Sequence, residues 1–308
     1  MQPQLHGSES LIRIPSDKCI YSMNRKNISV AEIAPGESAI FETKDCFSGQ
    51  IKTEQDLFTK IGWGAINPAT GPLTIDGTDP GDVLATRILD IKIAERGVMV
   101  AVPKMGALGQ YITHPETRVI PIVNGKAIFN DNILLPITPM IGVIGTAPRN
   151  EDIPTGTPGS HGGNIDTRVI REGTTVYLPV FVQGAKLAVG DLHAVMADGE
   201  VVICGVEVAG EVTLQVDVIK DKTLHAPVLE TEESFYCIAS AEDLDKATAD
   251  ALDHTVRFLK ERIPLPINEI AMLMSITCNV QTSQIVDPLK TARIEIPKKA
   301  FEYYKLSF

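Results

Sequence analysis

The chain has 308 residues, with 28 Lys or Arg against 39 Asp or Glu, so its formal net charge is −11. An acidic chain lacks the positive surface that nucleic acids and anionic membranes require, which argues against both as partners. Hydrophobic residues make up 44% of the sequence and exclude an intrinsically disordered chain. Because aromatic residues amount to only 5%, we expect a globular core of mainly Val, Ile and Leu.

The cysteines and the apolar segments indicate the compartment. Five scattered cysteines, an odd number with no CxxC pair, predict reduced thiols rather than a disulfide framework. The polar segment 1–10 has no apolar signal core, and the most apolar run, 133–148, is too short and too interrupted by Pro and Gly to span a bilayer. We therefore predict a cytoplasmic protein without a membrane partner.

Short strands between turns are predicted for most of the first 230 residues. Apolar residues alternate over 83–93, and Asn124-Gly125 is a strong hairpin signal. The clearest strand covers 204–218, where every even position is apolar or Gly. The sequence contains no GxGxxG, no Walker-type GxxxxGK and no GxSxG, so dinucleotide-binding, P-loop and nucleophile-elbow enzymes have no support.

Helical spacing appears only near the end of the sequence. Apolar residues recur at helical spacing up to Arg262, and Ser240 followed by Asp243 resembles a capping box at the start of this predicted helix. Pro264 ends it, and a second helix is predicted over 267–280. Strands followed by helices favour a mainly β fold with sandwich- or barrel-like sheets and a smaller α+β C-terminal portion.

This change in pattern suggests three regions. We predict a β-rich N-terminal region over 1–150 and a second β-rich region over 151–230, which carries the candidate site residues described next. The α+β portion covers 231–308 and is expected to pack on the sheets.

A glycine-rich segment, 150–166, surrounds His161 with four glycines and two prolines. A loop of this length inside a compact domain is typically functional or disordered. Backbone N–H groups of Gly162 and Gly163 could approach a carbonyl oxygen closely, as in an oxyanion hole. The alternative is a solvated, turn-rich linker.

Asp191 and His193 form the second candidate. Residues two apart on a strand point to the same face, so a carboxylate and an imidazole could converge on one metal ion. The alternative is a histidine on a sheet surface that is hydrogen-bonded to its neighbour.

The geometry of the turn Asp198-Gly199-Glu200 determines whether Glu207 lies on the same face of the sheet as Asp191 and His193. A two-residue turn at 198–199 would pair His193 with Cys204 and put Glu207 on the opposite face of the sheet. Glu207 then reaches the site only if the turn is irregular or if it comes from another layer. The alternative is a solvent-facing strand residue.

Asp45-Cys46 is a weaker candidate that could supply a ligand, a base or a nucleophile. The alternative for Cys46 is a buried thiol that behaves as a small hydrophobic residue.

Taken together, these segments resemble the acetamidase/formamidase family. The residues that carry the likeness are, in chain order, Asp45-Cys46, Asn67 to Pro72, Pro80 to Asp82, Pro139 to Gly145, His161 to Asp166, Gly190 to His193, Asp198 to Glu200, and Pro264 to Asp287. The resemblance covers nearly the whole chain. It implies a cytoplasmic, homo-oligomeric hydrolase that converts short aliphatic amides, such as formamide or acetamide, to a carboxylate and ammonia, on a mainly β fold.

A mechanism consistent with the resemblance uses a divalent cation. Asp191 and His193, with Asp45 as a possible third ligand, would hold Zn²⁺, with Ca²⁺ or Mn²⁺ as alternatives. The ion would polarise the amide carbonyl and activate a water molecule. A small amide makes few contacts, so we expect a small, tightly enclosed pocket.

The remaining candidates are assigned to proton transfer and to substrate binding. The general acid–base candidates are His161, Glu200 and Glu207. The substrate-binding candidates are Gly162 and Gly163 for the oxyanion, and Asn164 and Asp166 for the amide NH₂ group.

Two other functions compete with this one. The first is a non-catalytic β-sandwich binding module with a structural metal. The second is amide hydrolysis with Cys46 or another cysteine as the nucleophile.

Overall fold

Twenty strands and two α-helices make up residues 11–308, the part of the chain that the computed structural model describes. The segment 1–10, for which no signal core is predicted, lies outside the described residues. The strands up to the chain midpoint are β1 (Ile12–Ile14), β2 (Cys19–Ile20), β3 (Ser22–Met23), β4 (Ala31–Ile33), β5 (Ser38–Thr43), β6 (Ala69–Ile75), β7 (Val83–Ala101), β8 (Glu116–Val123), β9 (Lys126–Asn130), β10 (Ile133–Pro136), β11 (Met140–Gly145) and β12 (Ile153–Pro154).

The later elements include both helices. They are β13 (Gly162–Asn164), β14 (Thr175–Pro179), β15 (Leu187–His193), β16 (Glu207–Ile219), β17 (Val228–Glu230), β18 (Ser234–Ala241), α1 (Leu244–Lys260), α2 (Ile267–Thr277), β19 (Asn279–Gln284) and β20 (Lys290–Pro297). Short 3₁₀ segments occur at Phe58–Lys60, Trp63–Ala65 and Lys298–Tyr304.

Pairing joins eighteen of the described strands into one continuous sheet, and β3 pairs with β12 in a second, two-stranded sheet. Most pairings are antiparallel, while β1–β5 and β4–β6 are parallel. Strands account for 41% of the structure and helices for 13%, with the helices near the C-terminus. The predicted mainly β fold with a smaller α+β C-terminal portion is confirmed.

The long strand predicted over 204–218 is β16, which begins three residues later than expected. Its even positions Val208, Val212, Leu214 and Val216 are completely buried in the main hydrophobic core, as the alternation predicts. Residues 204–206 belong instead to an irregular connection from β15. The predicted hairpin at 124–125 is also present, and both of its central residues have positive φ.

The helix predictions were right in kind and inexact at their ends. The side chain of Asp243 caps α1 by accepting a hydrogen bond from the Lys246 N–H at 2.7 Å, whereas Ser240 lies in β18. Helix α2 ends at Thr277, so Val280 belongs to β19. The buried face of α1, with Phe258 and Leu259, packs with side chains of β18 and β20 in a second core cluster.

Strands on either side of residue 150 pair directly, as β11 does with β15. The division at residues 150 and 230 therefore stays a prediction about chain organisation. Among the described residues, no helix has the length and the apolar character that a membrane crossing requires.

Candidate active site

Strand β15 carries Asp191 and His193 into the interior. All seven of its residues are buried, because β11 pairs along one side of it while β6 and then β16 pair along the other. His193 lies opposite Met140 of β11 and opposite Glu207 of β16. The strand therefore ends in a layer of buried polar groups.

The connection from β15 to β16 brings Glu207 to His193. His193 pairs with Glu207 rather than with Cys204, a shift of three residues from the register of a simple two-residue turn. An odd shift moves every side chain to the other face of the sheet. The cause is an irregular connection, in which Glu200 and Ile203 have φ of 49° and 93°.

Unusual backbone conformations concentrate at the same place. Asp166, Asp191 and Glu200 have φ of 38°, 56° and 49°, in the left-handed region that side-chain-bearing residues seldom adopt. Such conformations cost about 1–3 kcal/mol each and cluster at functional sites. Positive φ inside β15 also means that plain strand alternation does not by itself explain how Asp191 and His193 converge.

Four carboxylates surround the imidazole of His193. Its Nε2 lies 3.0 Å from Glu207 Oε1, 3.7 Å from Asp191 Oδ1 and 3.8 Å from Glu200 Oε1. On the other side of the ring, Nδ1 lies 3.9 Å from Asp166 Oδ1 and 2.9 Å from Met140 Sδ. Within the described chain, the only ion-pair contacts of these four carboxylates are with His193.

In two of the carboxylates, one oxygen accepts a hydrogen bond from a neighbouring N–H group. Asn67 Nδ2 donates to Asp191 Oδ2 at 2.9 Å, and the Gly205 N–H donates to Glu207 Oε1 at 3.0 Å. Asp191 Oδ1, Glu207 Oε2 and His193 Nε2 are buried without a hydrogen-bond partner. Since buried polar atoms are nearly always satisfied in native proteins, these atoms point to a missing partner.

Gly142 of β11 leaves room for this arrangement. A Cβ atom at this position would lie 2.5 Å from Asp166 Oδ1 and 2.7 Å from Asp191 Oδ2. Any larger residue would push the two carboxylates apart. The glycine lies in the run 139–145, which carries part of the family likeness, but its role could not be read from the sequence.

Burial dominates the electrostatics of the cluster. It raises the pKa of Glu207 to about 8, and burial together with Asp191 raises the pKa of Asp166 to about 7. The pKa values of Asp191 and Glu200 also lie well above their ordinary values, first through burial and then through the neighbouring carboxylates. A group of buried like charges is unstable unless protons or a cation neutralise it.

Three overlapping sets of buried side chains could hold a metal ion. They are Cys46 with Asp191 and Glu207, Asp166 with Asp191 and His193, and His193 with Glu200 and Glu207. Asp191, His193 and Glu207 each belong to two of these sets.

A cavity of about 850 Å³ opens beside the cluster. Asn164, Asp191, Glu200, Glu207 and Asp287 contribute to its polar wall. The volume falls in the range of about 300–1,000 Å³ that is typical of pockets for drug-sized ligands. The cavity is therefore not the small enclosure expected for a small amide.

The structure does not bring His161 into these sets. Its side chain is 1% exposed, and its ring lies close to Gly159 and Gly163. Both ring nitrogens lack hydrogen-bond partners, and burial lowers the pKa of the imidazole to about 4. His161 is not among the described residues that line the cavity, so its role as a base stays a prediction.

Gly162 and Gly163 lie in β13, which pairs with β11. The Gly162 N–H already donates to the Gly159 carbonyl at 3.1 Å, and neither glycine is among the described residues of the cavity wall. A Cβ atom would lie 2.2 Å from the Ile144 carbonyl oxygen at Gly162 and 2.4 Å from that of Thr157 at Gly163. Close packing accounts for both glycines, and their role as oxyanion donors stays a prediction.

Cys46, rather than Asp45, belongs to one of the metal-holding sets. Asp45 Oδ1 accepts hydrogen bonds from the N–H groups of Phe47 and Gly49 at 3.0 and 2.8 Å, which closes the loop after β5. Asp45 is absent from the three metal-holding sets found among the described residues, and its role as a ligand stays a prediction. Burial raises the pKa of the Cys46 thiol well above its ordinary value, which disfavours the nucleophilic thiolate.

Asp287 ends the segment 264–287, which carries part of the family likeness, but the sequence analysis assigns it no role in the site. It lies between β19 and β20, lines the cavity, and accepts a hydrogen bond from Asn164 Nδ2 at 3.0 Å. Its sequence context, Asp287-Pro288, resembles an ordinary turn, so nothing local to it indicates a site.

The match to a family model decides the family. Residues 22–155 and 149–303 match the model of the acetamidase/formamidase family. The chain belongs to this family. The crystal structure of an acetamidase from Bacillus halodurans is 49% identical and superimposes with a TM-score of 0.94, over 96% of this chain and 100% of that one.

Two further family relatives extend the comparison. A predicted acetamidase/formamidase from Thermoanaerobacter tengcongensis is 46% identical, with a TM-score of 0.94 over 97% of this chain and 100% of that one. A putative formamidase from Schizosaccharomyces pombe is 27% identical over 252 residues, which is 61% of each chain. The chain spans about three fifths of the length of the curated relatives it matches.

Proposed function

We propose that the protein hydrolyses short aliphatic amides, of the formamide and acetamide type, to a carboxylate and ammonia. The observation that carries this proposal is the set of unpartnered buried atoms, Asp191 Oδ1, His193 Nε2 and Glu207 Oε2, beside a cavity. The names of the relatives support it, since they include acetamidase and formamidase. A non-catalytic binding module is not favoured.

The side chains present fit a divalent cation. The three oxygens near His193 Nε2 lie 3.0–3.8 Å from it. Metal–ligand distances of about 2.0–2.2 Å place two tetrahedral ligands roughly 3.4 Å apart, so these separations suit donors that share one ion. A cation would also neutralise the excess of buried carboxylates over basic groups, which otherwise have to bind protons.

Asp191, His193 and Glu207 would hold this ion, because each belongs to two of the three metal-holding sets. A set of one nitrogen and two oxygens suits Zn²⁺, with Mn²⁺ or Ca²⁺ as alternatives. When bound, such an ion supplies Lewis acidity toward a carbonyl oxygen or a water molecule. Asn67 and Gly205 would orient these ligands by donating hydrogen bonds to Asp191 Oδ2 and Glu207 Oε1.

The chain's own residues then provide proton transfer and orientation. Glu200 lines the cavity and approaches His193 Nε2, so its carboxylate would take a proton from the attacking water and deliver it to the departing nitrogen. Burial and the neighbouring carboxylates raise the pKa of Glu200 above its ordinary value. Asn164 Oδ1 is free to accept a hydrogen bond from the substrate NH₂ group.

Asp166 contacts the far side of the His193 ring, where it would orient the imidazole rather than the substrate. A cytoplasmic location and a homo-oligomeric state remain part of the proposal.

A panel of amides tests the proposed activity. Purified protein with added Zn²⁺ is incubated with formamide, acetamide, propionamide and a bulky aromatic amide, and ammonia release is measured. We expect turnover of at least one short aliphatic amide and much slower turnover of the aromatic one. Absence of ammonia release from every amide, with Zn²⁺, Mn²⁺ or Ca²⁺ present, would contradict the proposal.

A further inference from the structure

Only one end of the Asn164 side-chain amide has a hydrogen-bond partner. Its Nδ2 donates to Asp287 Oδ2 at 3.0 Å, while its Oδ1 is buried and has no hydrogen-bond partner. The residue is 4% exposed and lines the same cavity as Glu200 and Glu207. Asn164 therefore presents a free acceptor, rather than a donor, to whatever occupies this part of the site.

Asp287 determines which end of the Asn164 amide is free. The two ends of an asparagine amide are nearly equal in size, so only the hydrogen-bond partner fixes its orientation. A carboxyl group keeps an acceptor oxygen whether or not it carries a proton on the other oxygen. The Asp287 oxygen therefore selects the Nδ2 end of Asn164 and leaves Oδ1 unpaired.

Both partners are anchored by their backbones. Asn164 pairs with Val143 in the ladder of β13 and β11. Asp287 is fixed from the opposite side, because Gln284 Oε1 accepts hydrogen bonds from the N–H groups of Val286 and Asp287 at 2.9 and 3.0 Å. The pair is therefore preorganised, and ordering it costs little when a substrate binds.

We propose that Asp287 is a positioning residue that makes the site selective for an NH₂ group next to the substrate carbonyl. This inference rests on the proposed amidase function and deepens it. A primary amide donates an N–H to Asn164 Oδ1, whereas the alkoxy oxygen of an ester with the same acyl group has no hydrogen to donate. An inverted Asn164 would place its own NH₂ against that of the substrate and lose the bond.

The experiment compares acetamide with methyl acetate, which share the acetyl group and differ in the leaving group. Asp287→Asn keeps the size of the side chain but offers both a donor and an acceptor, so Asn164 is no longer held in one orientation. We expect kcat/KM for acetamide to fall about tenfold, which corresponds to the loss of one hydrogen bond. Because this bond is made both in the bound substrate and in the transition state, its loss should mainly raise KM. The value for methyl acetate should change less than about twofold.

Two control variants and one alternative measurement accompany the comparison. Asp131→Asn, at an exposed turn, makes the same chemical change away from the cavity and should leave both substrates unaffected. Asp287→Glu restores an acceptor and should recover part of the acetamide activity. If the wild-type protein does not hydrolyse methyl acetate, the inhibition constant of methyl acetate against acetamide hydrolysis is measured in place of kcat/KM. We expect this inhibition constant to be the same for the wild type and Asp287→Asn.

Two results would overturn the inference. Equal losses for acetamide and methyl acetate would mean that Asp287 acts on the reaction in general, through charge or folding. Unchanged acetamide kinetics in Asp287→Asn would mean that it does not orient Asn164. Both outcomes leave amide hydrolysis by the wild-type protein intact, whereas failure of the proposed function appears as a wild type inactive on all amides.

Discussion

Replacement of His193 by alanine is expected to lower kcat/KM for acetamide by about 10³-fold or more, which corresponds to about 4 kcal/mol of transition-state stabilisation. His193 Nε2 is the nitrogen donor at the centre of the cluster, within 3.8 Å of oxygens from Asp191, Glu200 and Glu207. Its removal leaves buried carboxylates facing one another and takes one ligand from the proposed ion. Steady-state ammonia release and bound metal per chain are the measurements.

The matched control is His114→Ala, because His114 is exposed. It should retain full activity and metal content. Circular dichroism establishes whether the His193→Ala protein is folded, and His193→Gln, which keeps a polar side chain, provides a second variant if it is not. A folded His193 variant within tenfold of wild-type activity would remove this residue from the site.

The metal-free protein is expected to lose stability as the pH rises from about 5 to 8. Burial raises the pKa of Glu207 from its ordinary value of 4.5 to about 8 and that of Asp166 from 3.8 to about 7. Between the unfolded and folded pKa values, the native state binds more protons than the unfolded state, so the free energy of unfolding falls with increasing pH. For Glu207 alone, a shift of this size corresponds to about 5 kcal/mol.

Urea unfolding at pH 5.5 and pH 8, after removal of divalent ions, measures this effect. Glu207→Gln, which cannot ionise, should show a smaller difference between the two pH values than the wild type. Added Zn²⁺ should stabilise the wild type more at pH 8 than at pH 5.5, because ligands must be deprotonated to bind it. Equal stability of metal-free wild type and Glu207→Gln at both pH values would contradict the buried-carboxylate interpretation.

Local patterns predicted the fold better than they predicted the site. Period-two alternation predicted β16, and helical spacing predicted α1. Both predictions succeed because an element with one buried face repeats apolar residues along its length at the period of that element. The capping pattern failed at Ser240, since the sequence Ser-x-x-Asp does not show that β18 continues through Ala241 before Asp243 caps the helix. The ends of strands and helices depend on pairing with distant parts of the chain, which a short stretch of sequence does not reveal.

The site depends on register and on distant segments. Asp191 and His193 could be proposed together because they are two residues apart, but Glu207 could be placed only by knowing the irregular path of residues 194–206. Asp287 lies in a turn 123 residues after Asn164, so no local signal links the two residues. The sequence predicts a loop around His161, whereas Gly162 and Gly163 lie in a short, closely packed strand.

Parallel measurement of metal content and ammonia release is the most direct test of a cation-dependent amidase site. Protein is dialysed exhaustively against a chelator, then assayed for bound metal and for acetamide hydrolysis before and after addition of Zn²⁺, Mn²⁺ or Ca²⁺. We expect activity to fall in proportion to the metal removed and to return with at least one of these ions. Full turnover by metal-free protein would contradict a functional ion among Asp191, His193 and Glu207.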